Sequence, residues 1–191
     1  RVKGFSVDIL DVEALRLNDQ EAAKRIAASR ARVVCFVVYG QQPSASSQNM
    51  AGAVDLADLV KSATPDSKIV FVGGHIAALS REVLEKHPSI DFVCQNEGVY
   101  TISGLLQTNL KDGLEKVLGL GYRRDGTVCL NPPSPIVAKA DLPRDLPGVR
   151  YTIVRGTLVS KVPSVASHPL ATGTTLPGPG SSSSSSAPAG A

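Results

Sequence analysis

Three short runs of consecutive apolar residues alternate along the chain with segments in which apolar residues recur every three or four positions. The apolar runs lie at residues 33–39, 69–72 and 92–94. A continuous apolar run of this length is typical of a strand that is covered on both faces, as strands of parallel sheets are. The recurring pattern is typical of amphipathic helices. The chain therefore predicts an α/β fold in which a mostly parallel sheet carries helices on both faces.

The boundaries of the helices have signals of their own. Asn18 and Glu21 have the spacing of a capping box, and they predict a helix that extends to Ala28. A second helix carries an apolar stripe that begins at Met50, and Pro65 ends it. The remaining predicted elements of this part are a strand at residues 5–10 and helices at about 80–86 and 98–107.

A β-hairpin is predicted after the last of these helices. Asp125-Gly126 lies between two segments of strand character, 118–123 and 127–130. Because a type I′ turn needs positive φ at both central residues, this dipeptide is a strong hairpin signal, and we place the hairpin at the edge of the domain. Several prolines between residues 131 and 147 then predict a stiff, extended connector.

The last part of the chain differs in composition. From residue 151 onward there is no Asp or Glu, and six consecutive serines follow a Pro/Gly-rich stretch. Such a segment buries too little apolar surface to offset its ordering entropy. We therefore divide the chain into a Rossmann-like (flavodoxin-like) domain at 1–117, a hairpin and connector at 118–150, and a disordered tail at 151–191 with at most a short strand at 151–154.

Composition narrows the class of protein. The chain has 191 residues, of which 42% are hydrophobic and 4% aromatic, which suits one domain with an aliphatic core. The net charge of +3 comes from evenly mixed signs, so we expect neither a nucleic-acid nor a membrane partner. The apolar runs are far shorter than the roughly 20 residues of a membrane span.

The cysteines indicate the redox compartment of the protein, and the N-terminal sequence indicates whether the chain is a fragment. Cys35, Cys94 and Cys129 are too widely spaced for a disulfide framework or a metal knuckle. We expect them to be buried thiols of a soluble, cytoplasmic protein. The chain begins at Arg1 without a signal-peptide pattern, and we expect it to be a fragment.

Two of the predicted strands end in turns that contain glycine. Gly73, Gly74 and His75 follow the strand at 69–72, and a Gln-Asn-Glu-Gly segment follows the strand at 92–94. The carboxyl ends of parallel strands meet at one edge of a sheet, where open α/β sheets bind their ligands. Glycines at such turns let a bulky ligand approach the backbone amides.

These segments, in this order, resemble the N-terminal cobalamin-binding domain of B12-dependent radical S-adenosylmethionine enzymes. The resemblance rests on Val72-Gly-Gly-His75, on residues 90–98 and on the hairpin at 121–126, and it covers about residues 3–147. It implies a domain that holds cobalamin at the C-terminal ends of its parallel strands. The cofactor contacts that it implies are Tyr39, Gly40, Gln41, Ser44, Gly73, Gly74, His75, Asn96, Glu97 and Gly98.

The chain departs from that family in two respects. The family's domain begins with a strand and a helix that precede the counterpart of residues 5–10, so we expect the sheet to lack a central strand. The family's radical chemistry uses a Cys-x-x-x-Cys-x-x-Cys loop for a [4Fe–4S] cluster that binds S-adenosylmethionine, and this motif is absent. We expect this chain to bind neither group and to have no complete catalytic site, and the implied partner is a radical S-adenosylmethionine catalytic domain.

The histidines argue against a protein ligand to cobalt. Other cobalamin proteins use Asp-x-His-x-x-Gly to replace the lower base, but neither His75, His87 nor His168 has an Asp two residues before it. His75 also fits a residue that packs at a helix entry. Glu97 also fits a carboxylate that the helix dipole favours at the start of a helix.

A second class of function stays open from the sequence. A flavodoxin-like domain that binds another nucleotide, or that only mediates an interaction, has the same order of elements. A dinucleotide-binding enzyme is disfavoured because no Gly-x-Gly-x-x-Gly follows any predicted strand.

Overall fold

The computed structural model describes residues 5–39, 43–145, 150–154 and 157–161. The chain divides into two compact units, Arg1–Pro147 and Gly148–Ala191. The helices of the first unit are α1 Asp19–Ser29, α2 Pro43–Ala63, α3 Gly74–Ala78, α4 Ser80–Lys86, α5 Val99–Gln107 and α6 Leu142–Asp145, with a 3₁₀ turn at Leu114–Lys116. Its strands are β1 Val33–Val37, β2 Lys68–Val72, β3 Phe92–Cys94, β4 Leu120–Arg124 and β5 Thr127–Leu130.

The five strands of the first unit form one sheet in the order β1-β2-β3-β4-β5. The three strands that the apolar runs predict are parallel, with Val33 opposite Lys68 and Val70 opposite Phe92. The hairpin β4-β5 continues the sheet in antiparallel fashion from β3. The prediction of a Rossmann-like α/β fold with a mostly parallel sheet and a β-hairpin at its edge is confirmed.

Helices cover both faces of this sheet. On one face Ile69, Phe71 and Val93 pack against the apolar sides of α1, α2, α3 and α4. On the other face Val70 and Val72 pack against α5 and the 3₁₀ turn. The stripe predicted for α2 faces the first of these cores, and its members are Met50, Ala53, Val54, Ala57 and Val60.

The capping box and the type I′ turn that the sequence predicts are both present. Asn18 Oδ1 accepts a hydrogen bond from Glu21 N at 2.9 Å, and Asn18 N donates to Glu21 Oε2 at 3.3 Å, which completes the capping box of α1. Asp125 and Gly126 have φ values of 50° and 78°, as a type I′ turn requires. Both signals involve residues that are close in sequence, so neither depends on the rest of the fold.

The strand predicted at residues 5–10 is wrong. This segment has no regular secondary structure, and Val7 and Ile9 are 50% and 69% exposed. An extended segment needs a paired neighbour to satisfy its backbone groups. Among the described strands none lies beyond β1, which is the edge of the sheet on that side.

Cys35 corrects the expectation that all three cysteines are buried. It lies on β1 and is exposed, whereas Cys94 on β3 is buried and Cys129 on β5 is half-buried. Val37, two residues further along β1 and on the same face of the strand, is 67% exposed. The described helices therefore leave this side of the edge strand uncovered.

The second unit contains a two-stranded antiparallel sheet of β6 Arg150–Val154 and β7 Thr157–Lys161. The short strand predicted at 151–154 lies within β6. The prediction of disorder is wrong for residues 157–161, because their β-branched and alternating sequence finds a partner strand in β6. Residues 162–191 lie outside the described part, and the three domain boundaries stay a prediction. None of the described helices is long and apolar enough to cross a membrane.

Candidate functional site

The turn after β2 lies directly against the end of β1. Gly73 is buried, and a Cβ atom at this position would lie 2.1 Å from the carbonyl oxygen of Val38. No side chain fits into that space, so only glycine lets the two strand ends approach so closely. Gly74, the next residue, is exposed, and a Cβ there would meet Ser46 at an ordinary 3.9 Å.

Ser46 joins the same two turns to α2. Its hydroxyl donates to Val38 O at 2.6 Å and accepts from His75 N at 3.0 Å, and the residue is 1% exposed. Ser47 Oγ lies 2.9 Å from His75 Nδ1, within hydrogen-bond distance. The serine-rich start of α2 therefore fixes the half-buried His75 at the entry to α3.

The turn after β3 lies over the end of β2. Gly98 is buried with a φ of 77°, and its N–H donates to Asn96 Oδ1 at 3.3 Å. A Cβ at Gly98 would lie 2.8 Å from Cγ2 of Val72. Both the left-handed backbone and the close approach require glycine at this position.

Tyr39, after β1, and Glu97, after β3, interact electrostatically. Partial burial raises the pKa of the Tyr39 phenol, and the nearby carboxylate of Glu97 raises it further. Tyr39 is 48% exposed and Glu97 is exposed, so both side chains reach the surface at this edge. The loops after β1, β2 and β3 thus meet at the carboxyl edge of the parallel strands, and we call this region the carboxyl edge.

Some of the predicted site residues lie at the carboxyl edge, and others lie elsewhere or outside the described residues. Tyr39, Gly73, Gly74, His75 and Gly98 lie there. Gly40 and Gln41 lie outside the described residues, and Ser44 lies in the first turn of α2.

Asn96 and Glu97 have partners in the connector. Asn96 Nδ2 donates to the carbonyl oxygen of Ser134, and Glu97 Oε2 accepts from Val137 N at 3.2 Å. Gln95, which the sequence analysis did not single out, donates through Nε2 to Asn131 O at 2.8 Å. These partners are distant in sequence, so no local pattern could have indicated them.

A groove of about 1120 Å³ reaches the carboxyl edge at Tyr39. Asp11, Glu13 and Gln48 are among the polar side chains that line it, together with apolar residues of β1 and α2. The glycine turns at 73–74 and 96–98 do not line this groove. It is therefore a neighbour of the carboxyl edge and not a hollow shared by all three loops.

The carboxyl edge is better suited to binding a broad, flat ligand than to catalysis by side chains. Glycine at 73, 74 and 98 removes side chains from two of the three loops, and Gly74 and Tyr39 are exposed at the surface. Burial raises the pKa of the Cys94 thiol to about 12, so this sulfur below the edge is neutral at physiological pH. In the described part of the chain no group of three or more His, Cys, Asp and Glu side chains is placed to hold a metal ion.

The family model of the B12 binding domain matches residues 1–106. The chain belongs to the B12-binding domain family. The matched residues include all three loops of the carboxyl edge and end within α5, so the hairpin and the connector lie beyond the match.

Solved structures with a similar fold include two radical S-adenosylmethionine enzymes that were solved with cobalamin bound. OxsB, solved with aqua-cobalamin and S-adenosylmethionine bound, matches with a TM-score of 0.55 and 22% identity over 69% of this chain and 18% of that chain. TsrM from Kitasatospora setae, a radical S-adenosylmethionine methyltransferase solved with cobalamin and a [4Fe–4S] cluster, matches with a TM-score of 0.53 and 15% identity over 83% of this chain and 26% of that chain. No match was found among curated protein sequences.

This B12-binding domain therefore spans about a fifth to a quarter of the length of the enzymes whose fold it shares. The resemblance that the sequence indicates is confirmed at the level of family and fold. At these identities the likeness shows the fold alone, so the roles of single residues do not follow from it.

Proposed function

We propose that this chain is the cobalamin-binding module of a B12-dependent radical S-adenosylmethionine protein, with the corrinoid held at the carboxyl edge. The observation that carries the proposal is the double close approach of Gly73 to Val38 and of Gly98 to Val72, which brings three loops together within the matched region. Open α/β sheets bind ligands at this kind of edge.

The exposed groups of the carboxyl edge have distinct roles in this proposal. Gly74 leaves room for the ligand to approach the start of α3, and the ring of Tyr39 offers an apolar contact for a flat macrocycle. His75 Nδ1 is held by Ser47, which suits a residue that shapes the loop rather than a ligand to cobalt. Gly40 and Gln41 keep their proposed role as contacts in the segment after β1, and Ser44 keeps its proposed role from the first turn of α2.

Bound cobalamin would supply a cobalt centre for methyl transfer or radical chemistry. This chain would contribute binding and orientation of the cofactor. The [4Fe–4S] cluster and S-adenosylmethionine would be held by a radical S-adenosylmethionine catalytic domain, the partner that OxsB and TsrM suggest. Three free cysteines are in keeping with a reducing compartment, and we propose the cytoplasm.

The test uses the full chain and hydroxocobalamin. Purified protein is mixed with hydroxocobalamin and desalted, and the retained absorbance and the dissociation constant are measured. We expect Gly74→Leu to weaken binding at least tenfold, because the side chain would occupy the surface on which the corrin lies while its own Cβ has room. Ala28→Leu is the control, since residue 28 is exposed near the end of α1, just before β1 begins at the opposite edge.

The outcome separates the two classes of function. Retention of a red chromophore by the wild-type protein, lost in Gly74→Leu and kept in Ala28→Leu, supports the cobalamin module. A wild-type protein that stays colourless with a far-UV circular dichroism spectrum of a folded α/β domain contradicts it. That result would favour a flavodoxin-like nucleotide-binding or interaction domain.

A further inference from the structure

The connector that follows the hairpin packs against the domain. Ser134 and Val137 are 6% and 8% exposed, although this stretch has no regular secondary structure. Its beginning is tied to the sheet by main-chain hydrogen bonds, from Asn131 N to Leu120 O at 2.9 Å and from Gly119 N to Pro132 O at 2.7 Å.

From residue 131 onward, side chains of the loop after β3 also hold the connector. The consecutive residues Gln95, Asn96 and Glu97 make hydrogen bonds with Asn131 O, Ser134 O and Val137 N respectively. The three connector positions are spaced three residues apart. The prolines at 132, 133 and 135 favour polyproline II, which repeats every three residues, so these backbone groups fall on one side of the segment.

A further contact lies one helical turn along from this loop. The hydroxyl of Tyr100 in the first turn of α5 donates to Asp145 Oδ2 at 2.9 Å, which fixes the short helix α6 to α5. The connector is therefore held at residues 131, 134, 137 and 145 by one continuous stretch, residues 95–100. The same stretch contains Gly98 and forms one of the three loops of the carboxyl edge.

We propose that Gln95, Asn96 and Glu97 are positioning residues that couple occupancy of the carboxyl edge to the order of the connector. Asn96 uses both ends of its amide, since Nδ2 holds Ser134 and Oδ1 holds the N–H of Gly98. A displacement of Gly98 by a ligand therefore moves the group that holds the connector. The inference rests on the proposed function, because it takes the ligand of the carboxyl edge to be a corrinoid.

The coupling is reciprocal by thermodynamic necessity. A corrinoid that stabilises the loop after β3 also stabilises the connector, and a loosened connector weakens corrinoid binding by the same factor. The connector would in this way report the presence of cofactor to the polypeptide that follows it.

The test is residue-resolved hydrogen exchange on the full chain, with and without saturating hydroxocobalamin. Asn96→Asp keeps the oxygen that accepts from Gly98 N but replaces the donor to Ser134 O with an acceptor. We expect the Val137 amide to exchange at least tenfold faster in this variant. The Asn131 amide, which donates to Leu120 O in the sheet, is the internal control and should be unchanged. Gln107→Glu adds the same negative charge at an exposed position at the end of α5 and should behave as the wild type.

Hydroxocobalamin should slow exchange at Val137 severalfold in the wild type and should bind Asn96→Asp severalfold more weakly. Equal exchange at Val137 in the wild type and Asn96→Asp would overturn the inference. Retained hydroxocobalamin with no change at Val137 would overturn the coupling and leave the cobalamin module standing. A wild-type protein that retains no hydroxocobalamin would overturn the proposed function, and the inference with it.

Discussion

The carbonyl oxygen of Val38 occupies the place where a side chain at Gly73 would begin, with only 2.1 Å between that oxygen and a Cβ atom. The oxygen is fixed in place, because it accepts a hydrogen bond from Ser46 Oγ. A side chain at residue 73 can therefore be accommodated only if the end of β1 or the turn after β2 moves. This relationship sets the shape of the carboxyl edge.

Gly73→Ala should destabilise the fold. We expect a loss of about 1–3 kcal/mol in the free energy of unfolding, because the added methyl group meets fixed backbone. Urea unfolding followed by circular dichroism measures it. Gly52→Ala in α2 is the matched control, since a Cβ there meets nothing within 4 Å, and it should gain roughly 0.5–1 kcal/mol. Equal stabilities of the two variants would contradict the contact with Val38.

The partly buried ion pairs of Asp91 should contribute more to the free energy of unfolding than an exposed ion pair on a helix surface does. The carboxylate of Asp91 lies 2.8 Å from Lys61 Nζ and 3.2 Å from Lys68 Nζ, and it accepts from Ile69 N at 2.8 Å. Asp91→Asn leaves two ammonium groups without their counter-charge at a largely buried position, and we expect a loss of about 1–3 kcal/mol in the free energy of unfolding.

The control for Asp91 is an exposed pair on α4. Glu82 and Lys86 form an ion pair at i and i+4 on the helix surface, so Glu82→Gln should leave the free energy of unfolding nearly unchanged. The same urea titrations compare both variants. If Glu82→Gln were as damaging as Asp91→Asn, burial would not be what gives the Asp91 pairs their strength.

The features predicted correctly from the sequence are those whose physical cause is local. The capping box of α1 involves Asn18 and Glu21, and the type I′ turn needs only Asp125 and Gly126. The parallel strands β2 and β3 are continuous apolar runs because both of their faces are covered. Each of these causes can be recognised in fewer than ten neighbouring residues.

The features that the sequence did not predict depend on partners far along the chain. Residues 5–10 have strand character, but no described strand lies beside β1 to pair with them. Asn96 fits a cofactor ligand by its position in a turn, yet its amide meets Ser134, 38 residues away. Gly73 was predicted as a turn residue, but the oxygen of Val38 that requires glycine there could not be inferred without the fold.

Cys94 should make stability depend on pH above about 9. Burial raises the pKa of its thiol from 9.0 to about 12 in the folded protein. Above pH 9 the unfolded thiol ionises while the folded one stays protonated, so the contribution of Cys94 is complete below pH 9 and falls as the pH rises toward 12. The expected loss is on the order of 1 kcal/mol for each pH unit in this window.

Urea unfolding of the wild type and of Cys94→Ala at pH 8 and pH 10 isolates this effect. Tyrosines and Cys35 titrate in the same range, but they are common to both proteins, so most of their contribution cancels in the difference. The stability advantage of the wild type over Cys94→Ala should narrow at pH 10. An advantage that stays the same at both pH values would show that the Cys94 thiol ionises equally in the folded and unfolded chain.

The pairing of Tyr39 with Glu97 can be measured directly at the carboxyl edge. Partial burial and the negative charge of Glu97 both raise the pKa of the Tyr39 phenol, because each disfavours the phenolate. Glu97→Gln removes the charge and keeps the size of the side chain, so the pKa of Tyr39 should fall toward its ordinary value without returning to it fully. Ultraviolet titration of the phenolate, with Tyr39→Phe to assign the signal, measures the change.

Asp19→Asn is the control, because this carboxylate also lines the groove beside Tyr39 but does not contribute to the raised pKa. A Tyr39 pKa that is unchanged in Glu97→Gln would mean that the loops after β1 and β3 are too far apart in solution to share one ligand.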